Sequence, residues 1–561
     1  MQAPRKDGPS FLDPKTIIAV AAVALIYYGW QTYLGKKYPG YGKPKTEQSQ
    51  TVTADGSPAP TSASPTSAAT SAPGNAERKS ELVVGAPAAE KTFNFSNDKV
   101  TFALTSHGMG LRNFTVNNYE DKDKNKIKLG VSDQASLFEM RWASDSKPVD
   151  FNVVEQAPGH YVGTAQAGDT TIKRELKYNP ENSSFASTVT FTGANEEVKK
   201  GFSIVLPETI HVKGSTSFLF PSYEHQDFFV GHGAGKHETV NFSNAKENTS
   251  HEFAQTSLVS VSSQYFAAAV LDKSDVIPDV KLTSEVNSQS ALAVLTYKPV
   301  QVKPEMTFTG LFYAGPKSID ILKAVDPEMA NLIDLGFFGF IAKPLLYVMK
   351  AFHSWAGNWG VAIILLTLLV RLCVLPFNIM SFKSMKAMQK VQPLIQALRE
   401  KHKDDPMRLN TEMMAVMKAN GANPIGGCLP MLLQIPVFFA LYRVIGSSIE
   451  LYSSPFIFWT TDLSAHDKFY VLPVSMAVFM FIQQKITPST MDPTQAKIMA
   501  FLPLVFSLFM LQLPSGLCLY MVVSTLFGIT QQYLIMRDKS GTPPVLPAAP
   551  TGGKKLKTVK A

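Results

Sequence analysis

Arg371 is the residue whose chemistry demands an explanation. It stands in GVAIILLTLLVRLCVLPFNIM, residues 360–380, where only Thr367 and Arg371 interrupt the apolar run from Val361 to Leu375. In a membrane-spanning helix, an arginine near the bilayer centre costs roughly 2.5–3.5 kcal/mol on insertion scales. Two explanations compete. Phe377 lies about 9 Å further along the helix, so Arg371 can stretch towards headgroups. Alternatively it faces a wet cavity, because Thr367 one turn earlier and Asn378 two turns later extend a polar stripe on its face. Gln434, Ser475, Ser507, Ser524 and Gln531 offer polar partners from other apolar segments, and none of those segments contains Asp or Glu. Arg371 therefore has no built-in salt-bridge partner, and a hydrated recess would leave it to pair transiently with an acidic residue of a passing chain. The missing carboxylates also argue against an ion-coupled transporter, which uses an intramembrane acid. An anion channel survives that test with a single arginine as its filter.

The elements that must position this residue follow from composition and pattern. Charged residues make up 17% of 561 residues and the net charge is +8, pointing to a membrane protein with anionic partners. Cys373, Cys428 and Cys518 all lie in apolar segments and form neither a disulfide framework nor a CxxC metal site. After a short N-terminus (1–15), TIIAVAAVALIYYGWQTYL lacks a small-residue cleavage site, and residues 16–35 are expected to be a retained anchor. Residues 36–80, rich in Pro, Ser, Thr and Ala, read as a disordered linker. Residues 81–325 alternate Val, Thr and Phe between Gly/Asn/Pro clusters, which predicts a large all-β sandwich. Residues 326–356 follow, where Lys343 and Pro344 interrupt the apolar pattern too early for a span and favour an interfacial amphipathic helix.

Spans are expected at 357–377, 424–446, 468–485, 496–513 and 515–536, making six with the anchor. Two apolar stretches, Phe469 to Gln484 and Ile498 to Leu513, are only about 24 Å long as helices, against about 30 Å of hydrocarbon. Short spans thin the bilayer around them. Segment 378–423 carries eight Lys/Arg against four acids and the tail 537–561 is basic, whereas loop 447–467 has Glu450, Asp462 and Asp467 without Lys or Arg. The positive-inside rule makes the hairpin and both termini cytoplasmic and the β domain external. Lys36, Lys37, Lys43 and Lys45 directly after the first span run against that orientation, and the later spans outweigh them.

Segment 378–423 is expected to be a helical hairpin. Met385, Met388, Val391, Ile395 and Leu398 recur at helical spacing, as do Leu409, Met413 and Val416. Asp405 and Pro406 open the second helix, Gly421 follows its end, and Pro393 bends the first. Seven methionines between Met380 and Met417 fill the seam or offer an adaptable surface to apolar clients.

The long motifs LLTLLVR, QPLIQALREKHKDDPMRLNTEMM, NPIGGCLPMLLQIP, DPTQAKIM and LPSGLCLYMVVS before QQYLI closely resemble the YidC family of membrane protein insertases over residues 335–537. HGMGLRNFTVNNY and FYAGPKS carry a weaker resemblance to its β domain, and the anchor, spacer and β domain match the Gram-negative form. The resemblance implies a bacterial inner-membrane protein that inserts and helps fold nascent membrane proteins, alone or with the Sec translocon. It implies a hydrophilic groove around Arg371, Thr367, Gln434, Ser475 and Ser524, and an apolar client path along Ile435, Pro436, Phe438, Phe509 and Met521. Met521 departs from relatives that carry a second tyrosine after Tyr520, and AVMK at 415–418 departs from an aromatic often found there. The hairpin and tail match parts that receive ribosomes or targeting factors, and no cofactor is implied. Membrane lipid is the remaining partner.

VGHGAGKHET is one residue short of a P-loop, with His237 at the Ser/Thr position. His225, His232 and His237 lack metal-ligand spacing, so no metal site is expected. No HExxH or GxSxG occurs and no catalytic carboxylates pair in the β domain, so the chain is read as a non-enzyme. The rival readings are an assembly scaffold for membrane complexes, which needs no groove, and an anion channel or transporter, which needs a continuous pore.

Overall fold

The structure is a computed structural model that describes residues 90–121, 123–193, 196–211, 225–232, 236–243, 247–402, 405–420, 429–486, 507–508 and 510–537. The expected anchor, the linker, Gly421, the NPIGGC and DPTQAKIM motifs, most of the span 496–513, Phe509 and the tail beyond Arg537 lie outside these residues.

Alternating strands with one apolar face build three antiparallel sheets. Four strands, β1 (Thr92–Ser96), β2 (Val100–Thr105), β3 (Leu111–Glu120) and β4 (Lys126–Leu129), pair in that order. A five-stranded sheet runs β13 (Thr249–Phe253), β16 (Asp279–Glu285), β17 (Ser290–Tyr297), β10 (Phe202–Thr209), β5 (Glu139–Trp142). A nine-stranded sheet runs β12 (His237–Asn241), β11 (Gln226–Gly231), β14 (Leu258–Ser263), β15 (Phe266–Asp272), β18 (Glu305–Pro316), β9 (Ser184–Thr192), β8 (Thr170–Asn179), β7 (His160–Ala167), β6 (Asn152–Ala157). The inward faces share one core in which Phe102, Phe185, Phe191, Phe202 and Phe312 are buried. Their rings meet edge-on or tilted, as at Phe102–Phe185 with centroids 5.4 Å apart. Arg174, fully buried in this core, donates Nη2 to the Phe138 carbonyl at 2.8 Å, and burial pushes its guanidinium down to about 9.

The chain leaves β18 through α1 (Ile319–Val325) and enters the helical part. Helix α2 (Gly339–Ala356) buries Ala342, Leu346 and Met349 and leaves Phe340, Tyr347 and Trp355 exposed, an amphipathic division. Gly357 ends it in the left-handed conformation (φ 68°), donating to the His353 carbonyl at 2.8 Å. Asn358 then caps α3 (Trp359–Lys401) by accepting from the Val361 N–H. This helix has 43 residues and is apolar enough over part of its length to cross a membrane. At about 64 Å it is twice the thickness of the hydrocarbon core. The other helices are α4 (Pro406–Ala419), α5 (Leu429–Ser447), α6 (Val471–Ile486) and α7 (Ser515–Arg537). Helix α4 folds back on the distal part of α3, where Val391, Ile395, Val416 and Met417 are buried with Met388, Leu398 and Met413 against them. Asp405 caps α4 by accepting from the Arg408 N–H at 3.0 Å. Met407 and Met414 stay exposed.

The β domain grips the last turn of α5 and the loop after it. Gln264 Nε2 donates to the Gly446 carbonyl at 2.7 Å, and Ile449 is buried in the β-domain core. The Tyr452 ring lies among Tyr119, Tyr265 and Phe266, and its hydroxyl donates to the Glu120 carbonyl at 3.0 Å. Lys350 of α2 bridges Asp320 of α1 and Glu450 of the loop at 2.8 and 2.7 Å.

One buried acid makes β-domain stability depend on pH. Burial raises Glu208 on β10 to about 7, although its carboxylate accepts the Gly130 and Thr209 N–H groups. The folded pKa lies above that of an unfolded chain, so the folded form holds the extra proton from about pH 4.3 upward. The stability linked to this proton is complete at low pH and is lost as pH rises through about 7, by at most about 1.4 kcal/mol per unit. Denaturant midpoints of the full chain in detergent, followed by the β signal in circular dichroism, should fall between pH 5 and 8. Glu208→Gln should flatten that slope.

Candidate polar site between the apolar helices

Helices α3 and α7 are parallel and in a fixed register. Arg371 meets Ser524 and Asn378 meets Gln531, each pair separated by the same 153 residues. Gly516 keeps the same step against Ile363, where an added Cβ would lie 3.3 Å from Ile363 Cδ1. A larger residue would push the helices apart at the end nearest the β domain. The register sets Thr367 level with Tyr520, so residues at spacings of four, four and seven form one ladder.

Arg371 is half-buried and turns its guanidinium across the interface rather than along its own helix. Nε donates to Ser524 Oγ at 2.8 Å, and Nη2 reaches the same oxygen. Ser524 is 2% exposed. Among the described residues no carboxylate pairs with Arg371. One turn nearer the β domain, the buried Tyr520 hydroxyl accepts from Gln434 Nε2 of α5 at 2.7 Å. Three helices thus converge through Arg371, Ser524, Tyr520 and Gln434.

Other expected site residues go elsewhere. The Thr367 hydroxyl donates to the Ile363 carbonyl at 2.6 Å and that of Ser475 to Leu472 at 2.8 Å, each within its own helix. Ser507 donates to the Pro473 carbonyl of α6 at 2.9 Å. Ile435 is exposed on α5, while Pro436 sits inside that helix and Phe438 is half-buried. Phe438 and Met521 pack against the bundle core. Phe509 lies outside the described residues. Of the histidines, His225 pairs with Asp227 at 3.3 Å and His237 stacks on Phe229. Tyr520 is the polar-site member that the span pattern did not single out. A tyrosine four residues before Ser524 in an apolar helix was the available signal, since a buried hydroxyl needs a partner.

Seven residues beyond Arg371, Asn378 Nδ2 donates to Gln531 Oε1 at 3.4 Å. The remaining amide atoms, Asn378 Oδ1 and Gln531 Nε2, are buried without a partner among the described residues. Each such atom costs about 1–3 kcal/mol.

Helices long and apolar enough to cross a membrane, with a polar ladder inside them and a large β domain seated on one end, define a helical membrane protein of two-part architecture. Residues 92–348 match the family described as YidC periplasmic domain, and residues 351–542 match 60Kd inner membrane protein. The membrane protein insertase YidC of Pelobacter propionicus is 33% identical over 567 residues, covering 93% of this chain and 99% of its own. That of Geobacter sulfurreducens is 51% identical over 230 residues, covering 41% of this chain and 43% of its own. The chain belongs to the YidC family of membrane protein insertases. Among solved structures, an active YidC insertase with its first transmembrane domain resolved aligns over 80% of this chain and 93% of its own, at 18% identity and a TM-score of 0.36. A putative aldose 1-epimerase from Escherichia coli aligns over 40% of this chain and 99% of its own, at 5% identity and a TM-score of 0.27. Both likenesses are too loose to carry a claim about this chain.

Ser524→Ala should strip the half-buried guanidinium of its partner. Since a hydrogen bond to a charged group contributes about 1.5–3 kcal/mol, the thermal midpoint in detergent should drop clearly. Ser524→Asn, which keeps an acceptor, should recover most of it.

Proposed function

We propose that this chain inserts nascent membrane proteins, and assists their folding, through a hydrophilic recess centred on Arg371. The observation that carries the reading is the Arg371 guanidinium, held by a neutral hydroxyl and unpaired with any carboxylate among the described residues. A fixed anion would neutralise it. A serine orients it and leaves its charge available to an acidic residue of a client's polar segment.

In this reading the chain has six spans, with 357–377 and 515–536 crossing in the same direction. The parallel register of α3 and α7 supports an odd number of crossings between them, as the expected spans 424–446, 468–485 and 496–513 would give. The hairpin 378–423 and the tail are cytoplasmic and receive ribosomes or targeting factors, and the β domain stands in the periplasm. The polar residues Arg371, Thr367, Gln434, Ser475 and Ser524 line the recess. Ile435, Pro436, Phe438, Phe509 and Met521 lead the client's apolar segment into lipid. Apolar burial, about 25 cal/mol per Å², drives that release without nucleotide. Insertion runs alone for small clients and beside the Sec translocon for larger ones.

Reconstitution tests this. The full chain in liposomes, given a ribosome-synthesised single-span client, should protect the client's translocated end from protease. Arg371→Ala should lower protection about tenfold, the loss of one charge-assisted contact. Protection only when the Sec machinery is added would favour an assembly factor. Ion leakage at rest would favour a channel. Equal protection by wild type and variant would reduce Arg371 to a snorkelling residue.

A further inference from the structure

The rung formed by Asn378 and Gln531 is built unlike the one above it. Arg371 and Ser524 satisfy each other, with Nε–Oγ at 2.8 Å. Asn378 and Gln531, 4% and 6% exposed, share one long bond of 3.4 Å. Two primary amides facing each other can exchange two hydrogen bonds. Among the described residues one acceptor, Asn378 Oδ1, and one donor, Gln531 Nε2, are left over. Turning both amides over leaves the same remainder, one donor and one acceptor, so the deficit does not depend on how nitrogen and oxygen are assigned.

One donor and one acceptor side by side are the complement of a single residue of an extended chain, whose own N–H and C=O point to the same side. We propose that Asn378 and Gln531 form a second client station that hydrogen-bonds the backbone of the client's polar segment. The inference rests on the insertase reading above and adds a site to it. Arg371 selects by charge, whereas the amide rung accepts any sequence, because every residue except proline carries both backbone groups. A client residue entering the rung adds two bonds beside the long one, its N–H donating to Asn378 Oδ1 and its C=O accepting from Gln531 Nε2, and no amide atom of the pair is then left over. The helix spacing fixes a register. Seven residues of α3 rise about 10.5 Å, which an extended client covers in about three residues at 3.3–3.6 Å each. When a client acid is beside Arg371, the backbone N–H and C=O of the residue about three positions away lie at Asn378.

The test uses the full chain in liposomes and a ribosome-stalled single-span client with one acidic residue in its polar segment. Cysteines are placed singly along that segment, and disulfide formation is read against Thr367→Cys and, separately, Asn378→Cys. Thr367 and Asn378 stand eleven residues apart on α3, about 16.5 Å, so the expected pattern is two maxima displaced by about five client residues. No crosslink to Asn378→Cys, or a maximum at the same client position for both cysteines, overturns the proposal and leaves the insertase reading standing. Failure of wild type to insert the client overturns both. The second arm compares Asn378→Leu/Gln531→Leu with the exchanged pair Asn378→Gln/Gln531→Asn. Insertion of a client with a long polar end should fall about tenfold in the leucine pair and recover in the exchanged pair. A client with only a few polar residues should insert normally in both. Normal insertion of the long-ended client by the leucine pair would overturn the proposal. Equal loss for short and long ends would also overturn it, placing the amides in helix packing.

Discussion

A guanidinium cannot be left unsatisfied between apolar helices, and the packing of this bundle is arranged around that constraint. Arg371 is held from α7 by Ser524, one turn below the tyrosine that Gln434 of α5 holds. Each bond alone is modest. Together they require α3 and α7 to be parallel and in one register, and they require α5 to lie where its glutamine reaches Tyr520. Shifting α7 by a single residue would rotate Ser524 by about 100° away from Arg371 and set an apolar side chain against a cation. Gly516 meets the same requirement sterically, by allowing close approach at Ile363.

The end of the bundle nearest the β domain is held by different chemistry. Ile449 and Tyr452 are apolar and aromatic plugs in the β domain, and Lys350 ties α1, α2 and the loop after α5 together. Those contacts are well packed and well paired. The ladder within the helices is sparse by comparison, and its rung farthest from the β domain, Asn378–Gln531, is a single long bond of 3.4 Å. Local stability follows such contact quality, so the parts most able to open are the rungs at Arg371 and Asn378 rather than the braced end.

Much of this was legible in residue pattern. Val/Thr/Phe alternation marked the β domain because strand burial has period two, and Arg371 stood out because charge is rare in an apolar run. Asp405 before Pro406 marked the start of α4 through capping chemistry alone. What pattern could not supply was pairing between elements. Five polar residues were available to Arg371, and nothing local distinguishes Ser524 from Ser475, whose hydroxyl bonds to its own helix. Hydroxyls in helices always have that option, so their number overstates the polarity of a recess. The continuity of α3 through 377 was equally hidden. A change from apolar to basic composition marks a change of surroundings and carries no signal for a break in the backbone. The gripping of Tyr452 depends on two places in the β domain, Tyr119–Glu120 and Tyr265–Phe266, the former 332 residues earlier in the chain.

That continuity has a mechanical consequence. Helix α3 carries Arg371 in its first third and the seam with α4 near its end, within one hydrogen-bonded rod. A load placed on the hairpin is not absorbed by a flexible joint before it reaches the polar ladder. The rod is braced at its other end, where Asn358 meets the backbone at Pro455 and Phe456, in the loop that the β domain holds. Bending is therefore concentrated between the two, where Pro376 removes one backbone hydrogen bond. Pro376 lies between Arg371 and Asn378, so of the two prolines inside α3 one falls between the polar rungs and the other, Pro393, falls in the seam with α4. Along this rod a movement of the hairpin meets the Asn378 rung first, then Pro376, then the Arg371 rung.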